Sequence, residues 1–239
     1  MKKAIATLLS LFSIFILATC GKSSPGVEPE RSEQPRVLVA LGDSIANGGI
    51  GTDDRDTQSY AAIVAAANGY TLYNDAVDGY KSGDLLYMLE TDDNVRCHVT
   101  DADITVISIG ANDVWISDPG ALLAHTAGGD YSGINALLSD FKDNLDDVLY
   151  SVSTLSPGAT VILQTLYNPV HGDDGLRAGY QIVCDALNEI ITGTDCRVLD
   201  VAAAFDGHPE YIYLDGIHPS IAGHAKIAEI LIELLSSVQ

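Results

Sequence analysis

The chain has 239 residues, 12 basic against 33 acidic, a net charge of -21 and 47% apolar residues. That length and apolar content suit one folded domain with a sizeable core, or one plus a short appendage, and argue against global disorder. The charge repels a phosphate backbone and so argues against nucleic-acid binding, and four cysteines are too few for a disulfide scaffold.

Met1-Lys2-Lys3 is a basic start, and Ala4 to Ala18 is apolar apart from Thr7, Ser10 and Ser13. This has the form of a secretory signal and is too short for a membrane span. Leu17-Ala18-Thr19-Cys20 resembles a bacterial lipobox, with Thr19 where Gly, Ala or Ser is usual. The resemblance implies removal of residues 1–19, lipidation of Cys20 and an extracytoplasmic, membrane-anchored protein; the alternative is simple secretion. Gly21 to Arg36 is polar, holds three prolines and lacks apolar periodicity, so residues 20–36 read as the lipidated cysteine and a disordered tether. The folded domain is expected over 37–239.

That domain opens with Val37-Leu38-Val39-Ala40-Leu41, a short apolar run ending at Gly42-Asp43-Ser44. Such a run reads as a buried strand stopping at a tight turn, which places Ser44 at the carboxyl end of a central strand. Ser59 to Asn68 is an alanine-rich helix stopped by Gly69. Strands are expected at Thr71 to Val77, Ile104 to Ile109, Thr160 to Leu166 and Arg197 to Val201. Helices are expected at Ser82 to Leu89, Gly133 to Thr154, Leu176 to Ile191 and Ser220 to Leu235. Strands alternating with helices imply a parallel sheet covered on both faces.

A serine at a strand end is a nucleophile only with a base and donors for an oxyanion. By itself Gly-Asp-Ser is also ordinary turn and capping chemistry. Two further strand ends carry glycine turns: Asn74-Asp75-Ala76-Val77-Asp78-Gly79 and Gly110-Ala111-Asn112-Asp113. Gly79 lets a backbone N–H approach a ligand closely, and Asn112 offers a neutral amide donor. Asp215-Gly216-Ile217-His218 sits just before the last helix, where the aspartate can orient the histidine and stabilise its imidazolium. Asp206-Gly207-His208 is a rival pair at a spacing of two.

Taken in order, these four blocks resemble those of GDSL-type, or SGNH, hydrolases: Gly42-Asp43-Ser44-Ile45, with Ile45 where leucine is typical, then Gly79, then Gly110-Ala111-Asn112-Asp113, then Asp215-Gly216-Ile217-His218. The resemblance covers Val37 to the C-terminus. It implies a flavodoxin-like three-layer α/β/α sandwich with a five-stranded parallel sheet. It also implies a serine esterase working through an acyl-enzyme, with Ser44 as nucleophile, His218 as base and Asp215 as its partner. The oxyanion donors would be the backbone N–H groups of Ser44 and Gly79 and the side chain of Asn112. No metal or organic cofactor is expected, and the implied partner is a small-molecule ester, with membrane contact only through the anchor.

Gly48-Gly49-Ile50-Gly51 reads as a loop beside the site, and Asp53-Asp54-Arg55-Asp56 as a solvated turn. Substrate preference is expected in the loops 114–132, 168–175 and 202–214, with Trp115, Ile116, Tyr167 and Tyr213 as candidate pocket aromatics or aliphatics. Lipid-type or small acyl esters lead this reading. A carbohydrate O-acetylesterase is the alternative, and a non-catalytic surface-binding lipoprotein is the other class. With Cys20 lipidated, Cys97, Cys184 and Cys196 leave an odd count and no derivable pairing.

Overall fold

A computed structural model describes residues 35–115 and 132–237. The signal, Cys20 and tether lie outside these residues, apart from Pro35 and Arg36, as do Ile116 and most of the 114–132 loop. Among the described residues no helix is long and apolar enough to cross a membrane.

Five strands form one sheet: β1 (Val37–Gly42), β2 (Thr71–Asn74), β3 (Ile104–Ser108), β4 (Thr160–Gln164) and β5 (Arg197–Leu199). Their order is β2-β1-β3-β4-β5, and every pair is parallel. This is the doubly wound order in which ligands bind outside the carboxyl ends of the strands, where the winding reverses. β1 and β3 are buried along nearly their whole length, as expected of central strands with near-continuous apolar runs. Strand alternation divides β1 between two cores. Val39 and Leu41 face one and Leu38 and Ala40 the other.

The first core packs against α4 (Ser82–Thr91), α5 (Asp93–Thr100), α7 (Ser132–Leu155) and α8 (Asp174–Thr192). The second packs against α3 (Tyr60–Asn68), α9 (Val201–Phe205) and α10 (Ile221–Ser236). Fully buried Leu85, Leu89, Phe141 and Leu145 hold α4 and α7 together, each worth about 1.5–3 kcal/mol of apolar burial. The three-layer α/β/α sandwich is therefore the observed architecture.

Local chemistry explains most boundaries. Ser59 caps α3 by accepting the Ala62 N–H, and Gly69 ends it in the left-handed conformation. Ser220 caps α10 through the Gly223 N–H. The four strands expected after β1 all end before their expected bounds, and two of those ends show why. β2 ends at Asn74, whose side chain turns to donate to the Ala46 and Asn47 carbonyls. β5 ends at Leu199, because Asp200 caps α9 and draws Val201 into helix. The short elements α1 (Ser44–Asn47), α2 (Arg55–Gln58) and α6 (Ala111–Trp115) carry too few residues for a periodic signal.

Candidate active site

The carboxyl ends of β1, β2 and β3 converge on one cavity of about 440 Å³. At the end of β1, Gly42 has φ +124°, and a Cβ there would lie 1.9 Å from the Ser108 carbonyl oxygen. Only glycine allows this approach, and it lets the Asp43 N–H donate to that same carbonyl at 3.0 Å. β1 and β3 are thus tied one residue before Ser44. Asp43 caps α1 through the Ile45 N–H, leaving Ser44 as the first residue of the helix, with its N–H among those lacking an intrahelical partner.

His218 reaches Ser44 from the far end of the chain. Its Nε2 is 2.8 Å from Ser44 Oγ, and its Nδ1 is 2.6 Å from Asp215 Oδ2. The other carboxylate oxygen of Asp215 accepts the N–H groups of Ile217 and His218 at 2.9 and 3.0 Å. Burial by itself pushes the Asp215 carboxyl up, but these two N–H groups and the histidine outweigh it and hold the group below its ordinary value. The result is an ionised carboxylate beside an imidazole that faces a hydroxyl. That arrangement can take a proton from Ser44 and return it to a leaving group.

The rival pair is not brought to the serine. Asp206 pairs with Arg177 at 2.7 Å, and His208 pairs with Glu210 at 2.8 Å while stacking on Tyr211.

Asn112 and Gly79 line the same cavity as Ser44 and His218. One amide hydrogen of Asn112 is donated to the Tyr80 carbonyl at 2.9 Å, which fixes the amide plane and leaves the second for a ligand. Gly79 has φ +80° and open space where a Cβ would lie. Asp113 connects the two elements. Its buried carboxylate accepts the Ser82 N–H at 3.0 and 3.1 Å and the Ser82 hydroxyl, which also accepts from Asn144. The loop after β2 and the helix after β3 are therefore locked to each other. The four-residue block marks Asp113 only as a possible cap, so this buried role was not readable from spacing.

The cavity walls include Ile50, Trp115, Pro169, Val170, Tyr180 and Ile217. Trp115 was expected from sequence; Tyr180 packs on it, with ring centroids 5.6 Å apart. Tyr167 is buried behind the wall, its hydroxyl donating to the Ile217 carbonyl at 2.7 Å. Tyr213 lies outside the cavity and is partly exposed. Among the other histidines, His98 pairs with Asp75 and stacks on Tyr73. His224 is fully buried in α10, takes the Tyr60 N–H at 3.4 Å and is held neutral by desolvation, its pKa pushed down to about 4. His125 lies outside the described residues. Cys97, Cys184 and Cys196 are all free thiols.

Asp43 carries a thermodynamic cost. Burial is the main cause that raises its pKa from 3.8 to about 7; the Ile45 N–H opposes the rise, and Asp113 and Asp78 add to it. A carboxyl raised in the folded state binds more protons folded than unfolded between about pH 4 and 7. Stability should therefore fall as pH rises through that window and stay low above it. Asp43→Asn keeps an acceptor for the Ile45 N–H but cannot ionise. Its stability relative to wild type should improve from pH 4.5 to pH 8 by a few kcal/mol at most, roughly 1.4 per pH unit of the raised interval. Urea midpoints at the two pH values measure this, and parallel profiles for the two proteins would rule it out.

Residues 40–226 match the family model described as GDSL-like Lipase/Acylhydrolase. The chain belongs to that family of hydrolases, and it is a serine-type ester hydrolase of the esterase–lipase class. No curated protein is matched by the sequence. Among solved structures it is similar to a lipase from a goat rumen metagenome, at 23% identity and TM-score 0.66, covering 82% of this chain and 95% of that one. It is similar to phospholipase A1 from Streptomyces albidoflavus at 21% identity and TM-score 0.62, covering 84% and 99%. A third is an acetylxylan esterase from Geobacillus stearothermophilus at 22% identity and TM-score 0.59, covering 83% and 93%. At these identities the likeness is one of fold.

Proposed function

We propose that Ser44 attacks the carbonyl of a small acyl ester, with His218 as general base and then general acid and Asp215 as its orienting partner. The observation that carries this is the continuous relay from Ser44 Oγ through both ring nitrogens of His218 to Asp215, opening on the cavity that holds Asn112 and Gly79. His218 takes the hydroxyl proton as the Ser44 Oγ–carbon bond forms. The oxyanion accepts from Asn112 and from the N–H groups of Ser44 and Gly79. The intermediate collapses, the leaving alcohol takes the proton from His218, and water repeats the cycle to release the acid.

For the leaving group the balance shifts from the lipid reading to a hydroxyl-rich carbohydrate ester. Three observations support this. A net charge of -21 repels anionic phospholipid surfaces. The surface beside the cavity carries the polar side chains of Asn168, Arg177 and Gln181. One of the structurally similar proteins, solved in several forms, is an acetylxylan esterase. A panel of p-nitrophenyl esters from acetyl to dodecanoyl, run beside acetylated sugars, tests it. Acetyl esters should give the highest kcat/KM and sugar acetates should be cleaved; a preference for long chains with inert sugar acetates would restore the lipid reading.

We also propose that the chain is exported and anchored through lipidated Cys20 ahead of the tether, leaving residues 37–239 as the catalytic domain. Cys20→Ala should move the activity from the membrane pellet to the soluble fraction. An unmodified Cys20 in mature protein, seen by mass spectrometry, would leave simple secretion.

A further inference from the structure

The catalytic cavity occupies the ends of β2, β1 and β3, only part of the sheet's carboxyl edge. Beyond it, over the ends of β4 and β5, lies a second open crevice of about 630 Å³. The two cavities share a wall. Pro169 and Val170 face the catalytic side, while Tyr167 and Asn168 face the crevice. The Tyr167 hydroxyl holds the carbonyl of Ile217, the residue before His218. A ligand in the crevice therefore lies alongside the reacting centre.

The lining selects one kind of ligand. At its base are the rings of Tyr167 and Phe205, with centroids 4.6 Å apart. Above them Asp174 supplies both carboxylate oxygens, Asp200 and Asp206 each keep one oxygen beyond those taken by the Ala203 N–H and by Arg177, and Gln181 adds an amide already bonded to Asn168 and Asp185. Arg177, the single basic residue among the lining groups, is committed to Asp206 at 2.7 Å and to the Val170 carbonyl at 3.1 Å. Three carboxylates against one engaged guanidinium exclude a phosphate or an acidic polymer. The polar rim disfavours an acyl chain, which would leave these groups desolvated without partners. Hydroxyl groups fit, since carboxylates accept from them and side-chain amides accept or donate. Ala178, Ala202 and Ala203 keep the space open.

We infer that this crevice is a leaving-group subsite for a neutral glycosyl unit of an oligosaccharide whose neighbouring unit carries the ester; this rests on the carbohydrate-ester reading of the catalytic site. It makes the enzyme one for acylated chains rather than for single acylated sugars. Binding energy gathered in the crevice positions the ester over Ser44.

The test uses steric plugs that remove no hydrogen bond. Ala178 and Ala203 are exposed on α8 and α9, so Ala178→Trp and Ala203→Trp should each fill the crevice from opposite walls. Wild type is assayed on p-nitrophenyl acetate and on acetylated xylo-oligosaccharides of one to six units. The expected result is a KM that falls about tenfold or more from one unit to three, about 1.4 kcal/mol or more of added binding. Each plug should abolish that gain while leaving p-nitrophenyl acetate turnover within about twofold of wild type, which also reports an intact fold. A KM independent of chain length, or plugs that change both substrates equally, overturns the subsite. If wild type cleaves aryl acetates but no sugar acetate, the substrate reading fails separately. The crevice is then judged by calorimetry with unacetylated xylohexaose: binding to wild type but not to Ala203→Trp upholds it, and no binding overturns it.

Discussion

Ser44→Ala and His218→Ala should each lower kcat for ester hydrolysis by roughly a millionfold, the scale of losing one member of a unit that acts together. Ser44 Oγ lies 2.8 Å from His218 Nε2, so the proton has one short path, and removing either end closes it. Neither change should unfold the protein. Ser44 is the first residue of a short helix capped by Asp43, and His218 sits on a turn whose Ile217 and His218 N–H groups donate to the Asp215 carboxylate. The double variant should be little worse than either single one. A fluorophosphonate should label Ser44 in wild type and nothing in Ser44→Ala. His208→Ala should stay near wild type, because that ring is spent on Glu210 and Tyr211. An inactive His208→Ala beside an active His218→Ala would mean that the base is misassigned.

Asn112→Ala should cost on the order of 10²–10³ in kcat, the loss expected for one oxyanion donor. KM should move much less, since the amide serves charge that develops only in the transition state. Removing the side chain also frees the Tyr80 carbonyl, but the Asp113–Ser82 contact still fixes the loop after β2. Thermal stability should therefore change only slightly. A rise in KM with kcat unchanged would make Asn112 a ground-state binding group instead.

The central strands were readable because burial on both faces forces continuous apolar runs, as in Leu38–Leu41 and Ile104–Ile107. The long helices α7, α8 and α10 were readable from periodicity, and α3 from its composition and glycine stop. Helix α5 was not, since Asp93–Thr100 is largely polar and buries only Val95 and Val99. The glycine-marked strand ends located Ser44, Gly79 and Asn112 near one another, because a parallel sheet delivers all its carboxyl ends to one edge. His218 was set apart from His208 by the resemblance of its block, since a spacing of two or three by itself says nothing about which turn meets Ser44. The crevice over β4 and β5 was legible only as the loops 168–175 and 202–214 and as Tyr167, while Arg177, Ala178 and Gln181 on α8 carried no mark. Tyr167, Gln181 and Asp206 are far apart along the chain and have no shared pattern.

His218 and Asp215 occupy a single turn, and that turn is braced from below by the Tyr167 hydroxyl. The histidine–aspartate couple is thus a prefabricated part, assembled by neighbours in sequence. Its alignment with the nucleophile spans 174 positions of sequence. Tolerance to change is correspondingly uneven. A substitution beneath the turn translates the couple as a unit, leaving its internal geometry whole while stretching one gap. Variants of Tyr167 would then damage the first chemical step through a displaced but fully formed couple, a slow enzyme whose histidine–aspartate contact is still intact.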